Sequence, residues 1–250
     1  MIFEVKDEKI LEKIRPLFND IRFYMGHCVF DGTMGCAYVD NLDNPQVAFL
    51  QVKWFVFVSG SISKEELKNI IDKNFKENII VPSDNIAKLI EEINWKCLKK
   101  SFRYSIKKDV TFDVGLLRGM AQNIDSKFSI VAIDKDIAKQ INDEGYYYIT
   151  PNFEKNGVGF CCIYNRQIIG VASSNIFYKD GIEINIKVKE AFRKQGIALS
   201  LVANLILECL KQSKKVSWDA ATTISVALAE KLGFKYDSAY RIYEFKEEYE

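Results

Sequence analysis

The 250-residue chain holds one histidine and four prolines, and none of its six cysteines forms a C-x-x-C pair. Each scarcity removes a class of chemistry. A Ser-His-Asp or Cys-His system would have to use His27. That residue lies in the apolar run Tyr24-Met25-Gly26-His27-Cys28-Val29-Phe30 with no nucleophile motif beside it, and it reads as structural. No G-x-S-x-G, H-E-x-x-H, Walker A or G-x-G-x-x-G string occurs. Hydrolase and nucleotide-hydrolysing classes therefore lose their usual sequence support. Cys28, Cys36, Cys97, Cys161, Cys162 and Cys209 lack the paired spacing of a zinc site, so no metal is expected. Cys161-Cys162 reads as a pair of small buried strand residues.

Charge excess is also missing. Lys plus Arg total 35 and Asp plus Glu total 34, a net +1. Nothing in that balance attracts a nucleic acid or a membrane surface, and neither partner is expected. No apolar run reaches the roughly 18 residues of a membrane span. Met1-Ile2-Phe3-Glu4-Val5-Lys6-Asp7 carries acid early and lacks a sustained apolar core, unlike a signal peptide. The expected location is cytoplasmic, where disulfides are rare. A composition 48% hydrophobic and 28% charged is that of a folded globular chain, long enough for one large domain or two small ones.

Alternating apolar positions and turn residues mark the elements that are present. Asp7 to Phe18 has helical spacing, and Cys28 to Tyr38 and Ala48 to Ser59 read as strands around a turn cluster at Asp40 to Pro45. Lys64 to Phe75 reads as a helix, with Ser63 as its N-cap and Glu66 at the capping-box position. A short strand at Ile79 to Val81, a helix over Asp84 to Ile93 and a strand over Leu98 to Lys107 follow. Residues 108–126 read as a boundary, and Ala132 to Gly145 as a helix opening the second half.

The densest information lies at Val188-Lys-Glu-Ala-Phe-Arg193-Lys194-Gln195-Gly196-Ile197-Ala198. Before it, Ile182, Ile184, Ile186 and Val188 alternate with polar residues as a strand. After it, Ile197 to Leu210 is apolar almost all round, a buried helix. A basic turn with a glycine, set before a helix N-terminus, suits a phosphate-bearing ligand. Free N–H groups and the helix dipole both face the anion. Gly196 lets the ligand approach the backbone, Ala198 keeps the helix start narrow, and Arg193 and Lys194 bring positive charge. Farther on come a strand at Lys214 to Asp219, a helix over Ile224 to Lys231, the sequence Leu232-Gly233-Phe234, and a strand at Tyr240 to Phe245.

The Arg193-x-x-Gly196-x-Ala198 turn and the Leu232-Gly233-Phe234 ending resemble the GNAT superfamily of N-acetyltransferases from about Val158 to Phe245. The N-terminal pattern Gly32-x-x-Gly35-x-x-Tyr38-Val39-Asp40-Asn41-x-x-Asn44-Pro45 resembles a smaller branch of it, the zwittermicin-resistance type, as do Trp218-Asp219-Ala220-Ala221 and Ser200 to Leu210. The resemblance implies an α/β fold with a mixed, mostly antiparallel, twisted sheet flanked by helices. The repeated order of strand, helix, strand, helix and strand suggests two GNAT-like units in tandem, a degenerate one over 1–115 and one with the acetyl-CoA site over 126–250. The first has no basic turn at Val58 to Ser63 and is expected to be non-catalytic. Two roles are open to it: shaping the acceptor pocket, or a contact in a homodimer.

The resemblance further implies acetyl-CoA as co-substrate and a primary amine of an unknown small molecule as acceptor. Backbone groups of Ile186, Lys187 and Val188 would meet the pantetheine. The amides of Gln195, Gly196, Ile197 and Ala198 would meet the diphosphate. Thr222 stands where many relatives carry Asn, and its hydroxyl suits either the pantetheine or a helix cap. Glu183, on the polar face of the strand, is the expected general base, with Asp219 as the weaker alternative and a solvated strand Glu as the other reading. Ala229 stands where many relatives carry the Tyr that protonates the departing thiolate, which leaves the general acid unassigned. A non-catalytic acyl-CoA sensor is the alternative to an enzyme.

Overall fold

Local sequence sets the helix starts. In the computed structural model, which describes residues 1–19, 24–76, 78–93, 95–107, 110–151 and 153–246, the chain begins with β1 (Phe3–Val5) and α1 (Glu8–Ile14). The Asp7 side chain caps α1 by accepting the Lys9 N–H at 2.8 Å. A 3-10 turn at Arg15–Phe18 follows, then α2 (His27–Phe30), β2 (Cys36–Val39), β3 (Val47–Val52) and β4 (Phe55–Gly60). Next come α3 (Lys64–Asn74), β5 (Ile79–Pro82), α4 (Asp84–Ile93) and β6 (Leu98–Ile106). The capping box of α3 forms as its sequence predicts, with Ser63 Oγ accepting the Glu66 N–H at 3.3 Å and Glu66 Oε2 accepting the Ser63 N–H at 3.4 Å.

The remaining elements are α5 (Val114–Gln122), β7 (Ser129–Ala132), α6 (Lys135–Asp143), α7 (Phe153–Asn156), β8 (Gly159–Tyr164), β9 (Gln167–Tyr178) and β10 (Gly181–Val188). After β10 the chain continues through α8 (Ile197–Lys211), β11 (Lys215–Ser217), β12 (Asp219–Ala220), α9 (Thr223–Lys231) and β13 (Tyr236–Phe245). No helix among the described residues is long and apolar enough to cross a membrane.

Two units result, Met1–Arg103 with Ala239–Glu250, and Tyr104–Ser238. The chain passes from one to the other within β6 and returns within β13. The sequence-based division at 1–115 and 126–250 differs from this chiefly in the last strand, whose residues from 239 onward pack with the first unit. In that unit the strand order is β1-β2-β3-β4-β5-β13-β6. β4 and β5 run parallel over Phe55–Val58 and Ile79–Pro82, and the other pairings of this sheet with a defined register are antiparallel. Phe49, Val56, Leu67, Phe75, Ile80 and Ile86 fill the core between the sheet and its helices. Each such side chain contributes about 1.5–3 kcal/mol on burial.

In the second unit β7, β8, β9 and β10 form an antiparallel meander, and β11 joins β10 in parallel. α8 lies close on one face: a Cβ at Gly170 would stand 3.1 Å from Ile197 Cγ2 and 3.3 Å from Val188 Cγ2. The other face packs on Ile141, Tyr147, Ile149 and Phe153, through Cys161 and Val171. Both sheets are therefore mixed, flanked by helices, and each contains one strand–helix–strand crossover with a parallel pairing.

Four stretches depart from the sequence expectations. The stretch Cys28 to Tyr38 is not one strand, because α2 occupies its beginning and β2 starts only at Cys36. Ala48 to Ser59 is a hairpin of β3 and β4, reversed at Lys53, which adopts a left-handed φ of 54°. The single strand expected over Lys214 to Asp219 divides into β11 and β12, and the helix expected from Ala132 starts at Lys135, after β7.

Candidate acyl-CoA site

The second unit holds the strand–turn–helix of interest. β10 pairs with β9 along its whole length, from Gly181 with Tyr178 to Val188 with Gly170. Its parallel ladder with β11 covers only Gly181–Glu183 and Lys215–Ser217. Beyond Glu183 the two strands part, and a bulge interrupts the β9 register between Glu183 and Ile184. Parity then decides which groups face the opening. The Lys189 N–H bonds to Ile169 C=O on the β9 side at 2.8 Å, so odd-numbered residues turn their backbone toward β9. Ile184, Ile186 and Val188 turn theirs to the open edge. Of the three residues expected to meet the pantetheine, Ile186 and Val188 have that orientation and the Lys187 backbone does not. The Lys187 ammonium donates to Tyr146 C=O at 2.9 Å.

The strand runs into the basic turn. A 3-10 turn spans Glu190–Phe192. Arg193 Nε donates to Val188 C=O at 3.4 Å, and Arg193 NH1 lies 3.4 Å from Glu190 Oε1. Its side chain is 60% exposed, and Lys194 and Gln195 are exposed beside it. Lys194 adopts φ 62°, and Gly196 caps α8 at φ 80°. Such backbone conformations are costly for a residue with a Cβ and cluster at binding sites. The first helical bond of α8 runs from the Ser200 N–H to Gly196 C=O at 3.0 Å. The N–H groups of residues 197–199 thus have no acceptor within the helix. Below, Ser200 Oγ donates to Ala121 C=O at 2.8 Å and ties α8 to α5. An exposed glycine turn, a guanidinium and free amides at a buried helix start form a cradle that fits a diphosphate.

Glu183 stands where β10 and β11 part. It is only 6% exposed, and Ser217 Oγ donates to its Oε2 at 2.5 Å. Alternation along β10 places Glu183, Asn185 and Lys187 on the face away from α8. There the Tyr147 hydroxyl donates to Asn185 C=O at 3.1 Å and pairs with Ser173 Oγ at 3.0 Å. Ser217 was not legible as a partner of Glu183, since no spacing rule predicts the register of β11 on β10.

Thr222 is the N-cap of α9 and accepts the Ser225 N–H at 3.2 Å. Asp219 is buried on β12, and α9 takes its cap from Thr222 instead. Ala229 is fully buried. α9 ends in a Schellman turn: the Phe234 N–H reaches Ala229 C=O at 3.1 Å and the Gly233 N–H reaches Glu230 C=O at 3.0 Å, with Gly233 at φ 97°. Trp218 packs edge-on to Phe234 at 5.6 Å, a core role. Tyr243 belongs to the first unit, where its hydroxyl donates to Glu91 Oε1 at 2.8 Å. Burial pushes the Cys161 and Cys162 thiols up to about 12 and about 11, which leaves them unreactive.

Comparison with known proteins agrees with this geometry. Residues 15–243 match the model of the GNAT acetyltransferase family. A GCN5-related N-acetyltransferase-like protein from Streptococcus suis 89/1591 is 32% identical, with a TM-score of 0.86 over 95% of this chain and 99% of that one. An uncharacterized N-acetyltransferase, YdfB of Bacillus subtilis (strain 168), is 23% identical over 87% of this chain and 88% of its own length. A tandem GNAT protein from the clavulanic acid biosynthesis pathway shares the fold at 8% identity, with a TM-score of 0.58 over 98% of both chains. With the family model covering most of its length and its two mixed sheets in the same fold, the chain belongs to the GNAT acetyltransferase family.

Proposed function

We propose that the chain transfers an acetyl group from acetyl-CoA to a primary amine of a small molecule by direct attack. The observation that carries this is the parting of β10 and β11 at a buried carboxylate. The open edge at Ile184, Ile186 and Val188 offers backbone groups to an extended pantetheine arm, as sheet edges do for peptides. It leads directly to the Arg193–Ala198 cradle. The acyl end of a ligand lying along it meets Glu183.

A simple alkylamine is mostly protonated near neutral pH, with a pKa of about 10.4, and must lose a proton to attack. Glu183 takes that proton, and Ser217 fixes the carboxylate by donating to Oε2. The new C–N bond forms as the C–S bond breaks, and strand-edge N–H groups stabilise the charge on the carbonyl oxygen. Sulfur then takes a proton from solvent, since Ala229 has none to give.

The test mixes the protein with acetyl-CoA and a panel of polyamines, aminoglycosides and amino acids, and measures free thiol. An amine-dependent release that falls by about 10²–10⁴ in Glu183→Gln, with CoA affinity kept, is the expected result. The buried Ala229 favours a second reading, a non-catalytic acyl-CoA-binding module. Tight CoA binding without turnover on any amine selects that reading, and no CoA binding removes both.

A further inference from the structure

We propose that the Tyr146 hydroxyl is a hydrogen-bond donor to the diphosphate of the bound acyl-CoA, an inference that rests on the acyl-CoA reading above. Tyr146 follows α6 and is pinned where β10 runs into the basic turn. Its C=O accepts the Lys187 ammonium at 2.9 Å. The same ammonium lies 4.8 Å from its ring centroid, and that of Lys189 lies 5.3 Å away. Lys189 is in turn 3.8 Å from Glu144 Oε2. The next groups along the chain are Val188 C=O and the Arg193 guanidinium that bonds to it.

The ring is therefore held on several sides, yet its hydroxyl oxygen is buried with no hydrogen-bond partner among the described residues. The adjacent Tyr147 shows the usual outcome, a buried phenol with two partners. A buried hydroxyl without a partner destabilises the fold, and its retention beside a binding turn points to a partner that arrives with the ligand. Burial holds the phenol up at about 12, against a smaller opposing effect of the Arg193 charge. It is a donor at neutral pH, as an anionic oxygen requires. It is not the missing acid for sulfur, because Glu183 lies four residues before Lys187 along β10, about 13 Å at strand rise.

The experiment uses the full chain and compares wild type with Tyr146→Phe, which removes only the hydroxyl. Calorimetry with CoA and with pantetheine, which has no diphosphate, gives the two affinities. A melting scan without ligand gives stability. The expected result has three parts. CoA binds about tenfold or more weakly to the variant, the loss of one hydrogen bond to a charged group. Pantetheine binding is unchanged. The unliganded melting temperature rises by about 2–4 °C, because a buried unpaired group is gone. Tyr147→Phe, which loses real bonds to Ser173 and Asn185, melts lower and keeps its CoA affinity. Unchanged CoA affinity in Tyr146→Phe, an equal loss for pantetheine, or a lower unliganded melting temperature each overturns the proposal. A wild-type chain that takes up CoA while the variant does so equally well removes Tyr146 alone. A wild-type chain that binds no CoA removes the acyl-CoA reading and this inference with it.

Discussion

Gly196 and Gly233 form a matched pair that separates folding from ligand binding. Both take a left-handed φ, 80° and 97°, and both sit at a helix end. A Cβ at Gly196 would come no closer than 3.5 Å to a heavy atom, the Asn123 carbonyl oxygen; at Gly233 the nearest is Phe112 Cδ1 at 3.8 Å. Neither alanine substitution therefore meets a clash, and both carry only the conformational cost of a left-handed non-glycine residue. That cost is about 1 kcal/mol, net of the entropy removed from the unfolded chain. It lowers the melting temperature of a chain this size by about 2–4 °C. Only at Gly196 does the new methyl stand where a diphosphate would approach the backbone. Losing one charge-assisted hydrogen bond there costs about 1.5–3 kcal/mol, or roughly 10–100-fold in CoA affinity. Melting scans with and without CoA, together with calorimetry, measure both quantities. Gly196→Ala is expected to lose stability and CoA affinity, and Gly233→Ala to lose the same stability while binding CoA normally. Equal CoA affinity in the two variants would refute the placement of the diphosphate on this turn.

Two further outcomes concern the folded scaffold. Glu91 accepts hydrogen bonds from Lys100 and Tyr243 and lies 3.5 Å from Arg241, which lowers its pKa to about 2. A carboxylate with a depressed folded pKa adds stability that is present above its unfolded value near 4.3 and fades as pH falls toward 2. Glu91→Gln should flatten the acid side of the melting temperature against pH between about 4.5 and 2, and an unchanged curve would show the cluster to be irrelevant there. Gly170→Ala places a Cβ 3.1 Å from both Ile197 Cγ2 and Leu201 Cδ1. The overpacking should cost about 1–3 kcal/mol in chemical denaturation and weaken CoA binding by moving the start of α8; full retention of both would contradict the close seating of α8 on β9.

The site was more legible in the sequence than the first half of the fold. Val188 to Ala198 carries its geometry locally, since a strand period, a glycine turn and a helix period adjoin one another. The Leu232-Gly233-Phe234 ending is equally local. The hairpin of β3 and β4 escaped because both strands are apolar on both faces, and the reversal uses Lys53 rather than Asn-Gly or Gly-Gly. The helical start of the stretch at Cys28 escaped because the three apolar residues Cys28, Val29 and Phe30 are too short a run to show a period. Ser217 and Tyr146 owe their positions to pairing across the sheet and to packing after α6, which no spacing along the chain encodes. Thr222 shows a different limit: its residue type suited two roles, and the structure displays the cap.

The placing of β13 between β5 and β6 has a consequence for synthesis. The second unit runs in the chain from within β6 to within β13. On the ribosome the earlier strands of the first unit emerge long before the strand that completes their sheet. The second unit can gather its own meander and α8 while the first still exposes two unsatisfied strand edges. Closure of the first sheet then waits on a contact of very long sequence separation. Premature termination within β13 would leave the candidate cradle at Arg193–Ala198 fully encoded on a chain whose first sheet cannot close.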